Sequence, residues 1–182
     1  MAEAFSNKLT RAAGIVTTSS SGSIGVTTTI ITGISTVGVA VSDLVDNANF
    51  IAGTKVTGYG AAASQVVVDQ TSTNTSAVSG TAIVNFLGMT TAYTSAAATK
   101  SILIGGTFAN NTSSSVNLTV EIHDASAGIQ AAIASKIPVP TGSSFVISDA
   151  GKSVLEATDE VRVFCDTANA IDVNLSILTG VS

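Results

Sequence analysis

Apolar residues alternate with hydroxyl and amide residues along this chain from Thr17 to its end. Val116-Asn117-Leu118-Thr119-Val120-Glu121-Ile122 and Ile171-Asp172-Val173-Asn174-Leu175-Ser176-Ile177 are the clearest runs. Each puts Val, Leu and Ile on one face and polar groups on the other, the period of a half-buried strand. In the first half, strands are expected at residues 27–32, 37–41, 55–59, 65–69 and 81–86, separated by Gly22, Gly33, Gly53, Gly58-Tyr59-Gly60 and the polar run 71–79. In the second half they are expected at 100–107, 116–123, 131–137, 144–148, 160–166 and 170–178. Asn110-Asn111, Ala127-Gly128, Pro140-Thr141-Gly142 and Asp149-Ala150-Gly151-Lys152 supply the turns. Strands recurring about every ten residues predict an all-β, antiparallel β-sandwich of jelly-roll-like form, or a small barrel.

Two stretches leave the pattern open. Residues 2–15 mix polar groups with Glu3, Lys8 and Arg11, and Phe5 and Leu9 stand four apart, so a short helix and an extended arm both fit. Docking is expected either on its own domain or on a neighbour, and Phe5, Asn7, Lys8, Leu9 and Arg11 are the candidate partner-binding residues. An extended arm there would bind by strand addition. Ile129 and Ile133, four apart among alanines, fit a helical turn as well as a strand. The organisation expected is an N-terminal arm or strand at 1–16, a small β module at 17–88 and a β-sandwich domain at 91–182, with the small module inserted or in tandem.

Composition narrows what such a surface can do. Of 182 residues, 45 % are hydrophobic but only 10 % are charged, against about a quarter in typical soluble domains. The surface must be largely neutral. Seven Lys and Arg against twelve Asp and Glu give a net charge of −5 with no basic run, and phosphate-driven binding needs clustered cations. No nucleic-acid partner is expected. Residues 12–42 carry no charge, yet Ser, Thr and Gly interrupt them every few residues, so no membrane span is expected either. The first residues lack a basic region followed by an apolar core, so no secretory signal is expected.

The chain is poor in reactive groups. His123 is the only histidine, which removes metal sites needing two. Asp124 adjoins it, but neighbours on a strand point to opposite faces, a poor arrangement for a triad. Cys165, the only cysteine, shares strand parity with Val161 and Val163 and reads as a small buried hydrophobe. Gly151-Lys152-Ser153 lacks the first glycine of a phosphate loop, because Val146 occupies its place. Gly58-Tyr59-Gly60 leads into a strand where a dinucleotide fingerprint requires a helix. Glu156 and Asp159 are expected to flank a turn and accept backbone N–H bonds. No catalytic residue, cofactor or metal is expected.

Longer motifs carry a resemblance. Ile102-Leu103-Ile104-Gly105-Gly106-Thr107-Phe108-Ala109-Asn110-Asn111-Thr112, the hairpin Ile137-Pro138-Val139-Pro140-Thr141-Gly142, the turn Leu155-Glu156-Ala157 with Asp159, and the closing run 171–178 resemble β-sandwich virion proteins of tailed bacteriophages, particularly marine and cyanobacterial ones. Residues 31–57 resemble a second module of phage structural proteins, in which Ser42-Asp43 stands where Gly-Asp is usual. In that family a segment like Asn7 to Gly14 passes directly into one like Thr91-Ala92-Tyr93-Thr94, whereas here some seventy residues intervene. The resemblance therefore implies that the first module is inserted into the second domain, whose opening strand would be supplied by residues near Phe5 to Val16.

The function expected from this resemblance is a non-enzymatic virion structural protein, assembled in the host cytoplasm, that decorates or cements the head exterior. Its partners would be the major capsid protein or other virion subunits, and a homo-oligomer such as a trimer is expected. A neck, tail or fibre-adaptor component is the alternative within the virion. A glycan-binding, lectin-like module is the alternative of another class, although there is no Trp and Tyr59 and Tyr93 are the only tyrosines.

Overall fold

The computed structural model describes residues 3–148 and 152–181, and every regular element among them is a strand. The chain divides into two compact units, one formed by Met1–Gly14 with Thr90–Ser182 and the other by Ile15–Met89. β1 (Ala4–Ala13) opens the first unit. β2 (Ile15–Ile24), β3 (Ile30–Thr32), β4 (Leu44–Asp46), β5 (Val56–Tyr59), β6 (Gln65–Val68) and β7 (Val78–Gly88) build the second. β8 (Thr90–Thr94), β9 (Lys100–Asn110), β10 (Val116–Asp124), β11 (Ile129–Val139), β12 (Ser144–Ile147), β13 (Ser153–Leu155), β14 (Glu160–Cys165) and β15 (Ile171–Val181) complete the first.

In the first unit one sheet runs β1-β15-β9-β12, and the other runs β11-β10-β14-β8. β15 lies along β9 from Lys100 to Asn110, so β12 and β13, which pair with residues 106–109 and 101–103 of β9, share its other side as one interrupted strand. Sequential strands thus cross between sheets, and the resulting order is that of an eight-stranded jelly roll. The expected antiparallel β-sandwich is what the chain forms. Its core joins Leu103 and Phe108 of β9 and Leu175 and Ile177 of β15 to Leu118 and Val120 of β10 and Val161 and Val163 of β14. Full burial of each such side chain stabilises the fold by about 1.5–3 kcal/mol.

The second unit is a six-stranded sheet, β4-β7-β2-β3-β6-β5. Its two ends meet: Leu44 bridges Lys55, Val45 N donates to Thr54 O at 2.8 Å, and Ser42 N donates to Val56 O at 2.8 Å. These bonds close the sheet on itself as a barrel. Ile24, Ile31, Val66, Val84 and Phe86 fill it.

Several expected elements are corrected. Of the two forms open to residues 2–15, the extended one is found over their described part and the helix is not, because Ala4–Ala13 is a full strand docked on β15 of its own unit. Residues 37–41 form turns, with Val39 N bonded to Thr36 O and Asp43 N to Ala40 O, and the strand begins only at Leu44. The strand expected at 27–32 shortens to Ile30–Thr32 because Thr27 takes a left-handed φ of 49° in the preceding turn. Ile129 and Ile133 lie on strand β11, where a spacing of four also preserves side-chain parity. β2, rich in Ser and Thr with little apolar alternation, goes unannounced by its pattern, and the Asp149–Gly151 turn lies outside the described residues.

Candidate interaction surface

The reactive side chains are held in local structure. His123 stands opposite Glu160 in the β10–β14 ladder, with Nδ1 4.0 Å from Glu160 Oε2. That same oxygen accepts a hydrogen bond from Arg162 Nε at 2.7 Å. His123 Nδ1 is buried without a hydrogen-bond partner. Asp124 does not orient it: Asp124 Oδ1 accepts bonds from Ser126 N at 2.9 Å, Ser126 Oγ at 2.7 Å and Ala127 N at 2.9 Å. The Ala127 and Ser126 bonds hold this carboxyl below the usual carboxylate range, and the residue shapes the β10–β11 hairpin. Cys165 is buried, and burial pushes its thiol up to about 11, the opposite of what a thiolate nucleophile needs. Among the described residues no group of three or more His, Cys, Asp or Glu can hold a metal ion.

Polar residues at the turns act as struts. Asp159 is buried, its Oδ1 accepting from Ala125 N at 3.0 Å and its Oδ2 from Glu156 N at 2.9 Å. The turn role expected for Asp159 is therefore present, and it reaches across to the β10–β11 hairpin as well. Asp166 accepts from Asn117 N at 2.9 Å and Asn117 Nδ2 at 2.7 Å, joining the end of β14 to the start of β10. Asn110 is saturated: Nδ2 donates to Ser114 O and Val139 O, and Oδ1 accepts from Thr112 N and Oγ1. Of the two tyrosines, Tyr93 shares its hydroxyl with Ser101 Oγ at 2.8 Å, and Tyr59 donates to Val39 O. Tyr59 lines a shallow pocket with Thr36, Gly60, Ala61, Ala62 and Ala63.

Phe5, Asn7, Lys8, Leu9 and Arg11 all lie on β1. The ladder sets Phe5 opposite Leu178, Asn7 opposite Ser176, and Leu9 opposite Asn174. The backbone on that side pairs with β15 of the same unit, so these residues stand on a docked edge strand. Strand parity gathers Phe5, Asn7, Leu9 and Arg11 on the outer face of the sheet and separates Lys8, which stands opposite the buried Leu175.

That outer face is ordered in cross-strand rows. Phe5, Leu178, Ile102 and Val154 form one apolar row, and Leu9, Asn174, Thr107 and Val146 form a mixed one. Between them Gly105 and Gly106 floor a shallow groove flanked by Phe5, Ile104 and Val146. Single-strand patterning cannot reveal these rows, because each joins residues from strands far apart in the chain. No family model, curated protein or solved structure matches this chain.

Proposed function

We propose that this chain is a non-enzymatic structural protein of a tailed-bacteriophage virion, decorating or cementing the head exterior by contact with the major capsid protein. The observation that carries the reading is the jelly-roll order of the first unit, an architecture that viral capsid domains use, although lectins and cupins use it too. The motifs of the phage resemblance have structural roles in that unit. Asn110 braces the turn after β9, Gly142 takes a left-handed φ of 69° in the Pro140–Ser143 turn, and Asp159 braces the turn from Glu156. Neutral side chains dominate the surface, and hydroxyls and amides form contacts with less desolvation cost than charges. A protein that bridges neighbouring capsid subunits gains from multivalency, since each weak contact acts at high effective concentration once another is made.

Quantitative mass spectrometry of purified virions tests this. A copy number comparable with that of the major capsid protein is expected. A number far below it would move the chain to the neck, tail or a fibre adaptor, and absence from virions would overturn the reading.

A further inference from the structure

We propose that the outer face of the β1-β15-β9 sheet, extended by β12, is a binding site for a neutral polysaccharide that lies along β15 and β9. The relief of the face is the first observation. Phe5, 63 % exposed, and Leu9, 73 % exposed, stand on the flanking strand β1, and Val146, 56 % exposed, stands on the flanking strand β12. The two strands between them carry short side chains on this face: Asn174 and Ser176 on β15, and Gly105, Thr107 and Ala109 on β9. The middle of the sheet is therefore a trough with apolar walls, closed at one end by Leu178 and Ile102. A Cβ at Gly105 would meet Ile147 O at 2.9 Å, so the fold requires a stretch of floor without a side chain. Two grooves occupy the trough, about 270 Å³ at the Gly105 end and about 340 Å³ at the Ala109 end, and Thr107 and Asn174 line both. From Ala109 to Gly105 it runs about 13 Å at about 3.3 Å per residue, room for a short run of sugar rings.

The chemistry of the trough selects the ligand. A protein interface sets its apolar groups at the centre and its polar ones at the rim. Between its apolar flanks this face has a polar floor, the reverse order. Among the described residues the Asn174 amide and the Thr107 hydroxyl make no hydrogen bond, while Ser176 Oγ donates to Asn7 Oδ1 at 3.4 Å. Asn110 and Asn117, by contrast, are held as struts. The backbone groups of β15 and β9 are engaged in their common ladder, so a peptide laid over them finds no strand to pair with. A sugar ring needs none. Its hydroxyl edge meets amides and hydroxyls that both donate and accept, and its C–H face packs on an exposed aromatic ring. Phe5 supplies that ring: Phe50, Phe86, Phe108 and Phe164 are buried, and Phe145 packs against the core. Charge narrows the class. No charged side chain lines the Gly105 groove, and Arg11 and Asp172, of opposite sign, line the other. The further charges that strand parity puts on this side, Glu3, Lys100, Lys152 and Glu156, line neither groove. A polyanion would thus meet one cation, one carboxylate and a chain of net charge −5, which favours a neutral ligand.

The site does not rest on the virion reading, because it is measured on the purified chain alone. On an array of neutral, sialylated and sulfated glycans the full chain should bind neutral members. Binding confined to sialylated or sulfated glycans, or to none, overturns the proposal. In a nuclear magnetic resonance titration of the isotope-labelled chain with the neutral array glycan bound most strongly, the amides of Gly105, Thr107 and Asn174 should shift and those of β11, on the opposite sheet, should not. Asn174→Ala removes an amide from the floor and Phe5→Ala removes the aromatic wall, and each should weaken binding about three- to tenfold. Gln130→Ala, on β11, should leave it unchanged. With circular dichroism melts confirming that each variant is folded, binding indifferent to both Asn174→Ala and Phe5→Ala, or lost in Gln130→Ala, overturns the assignment to this face.

Discussion

Ser42 holds a backbone conformation that its side chain disfavours, and the cost can be measured. Its φ is 76°, in the left-handed region, where it ends the turn that delivers the chain into β4. An L-residue there costs roughly 1–2 kcal/mol, while glycine costs about 0.5–1 kcal/mol through the greater freedom of its unfolded chain. The contact that holds this position is backbone, Ser42 N to Val56 O at 2.8 Å, and glycine keeps it. Ser42→Gly should therefore stabilise the barrel by about 0.5–1 kcal/mol, raising its melting temperature by about 2–8 °C for a unit of this size. Gly33 provides the reciprocal test. Its φ is 70° and a Cβ built there meets nothing within 4 Å, so Gly33→Ala adds backbone strain without a clash. It should lower stability by a similar amount. Differential scanning calorimetry of both variants, with urea titrations showing an unchanged m, makes the comparison. If Gly33→Ala destabilises but Ser42→Gly is neutral or destabilising, the serine is compensated at its site and the strain argument for position 42 fails.

Three other outcomes follow from the described contacts. Asp159→Ala removes the acceptor for two backbone N–H groups in two different turns and should cost about 3–5 kcal/mol in urea unfolding of the jelly roll; a loss below about 1 kcal/mol would mean that water replaces the carboxylate. Burial raises the Asp43 carboxyl above 3.8, more than the bond from Ala40 N lowers it. The folded barrel thus binds this proton more tightly than the unfolded chain, so its contribution to stability is fully present below 3.8 and is lost as pH rises through the raised folded value. The melting temperature of the wild-type chain relative to Asp43→Asn should accordingly climb as pH falls toward that range, and the opposite slope would refute the burial argument. Cys165, with its thiol pushed up to about 11 by burial, should resist a thiol reagent at pH 8 in the native chain and react promptly in denaturant; rapid native labelling would show that the core opens locally.

Local pattern was informative where a strand has one wet face and one dry face. The run from Val116 and the run from Ile171 announced β10 and β15, because each buries alternate residues in the same core. It misled where apolar residues stand in turns: Val37, Val39 and Val41 alternate like a strand, but the backbone bonds of residues 36–43 close tight turns around them. It was silent where strands are made of small polar residues, as in β2, whose place is set by the long β7 ladder beside it. The structural task of Asp159 was legible because a carboxylate in a turn has few other uses. Its reach to Ala125 was not, since those residues are 34 positions apart.

The sequence by itself determined the class of this protein: all-β, nearly uncharged and sparing of reactive groups, because a period of two and a residue count are local properties. It also marked residues 2–15 as a segment that docks, without fixing whether on its own domain or on a neighbour. Only the tertiary structure decided that β1 closes the jelly roll against β15, that β4 meets the β5 end to close the barrel, and that Phe5, Leu178, Ile102 and Val154 stand in one row. Each of these is a pairing between distant strands, and register across a sheet is set by which partners bury their apolar faces together, a property of the assembled strands that no single strand contains.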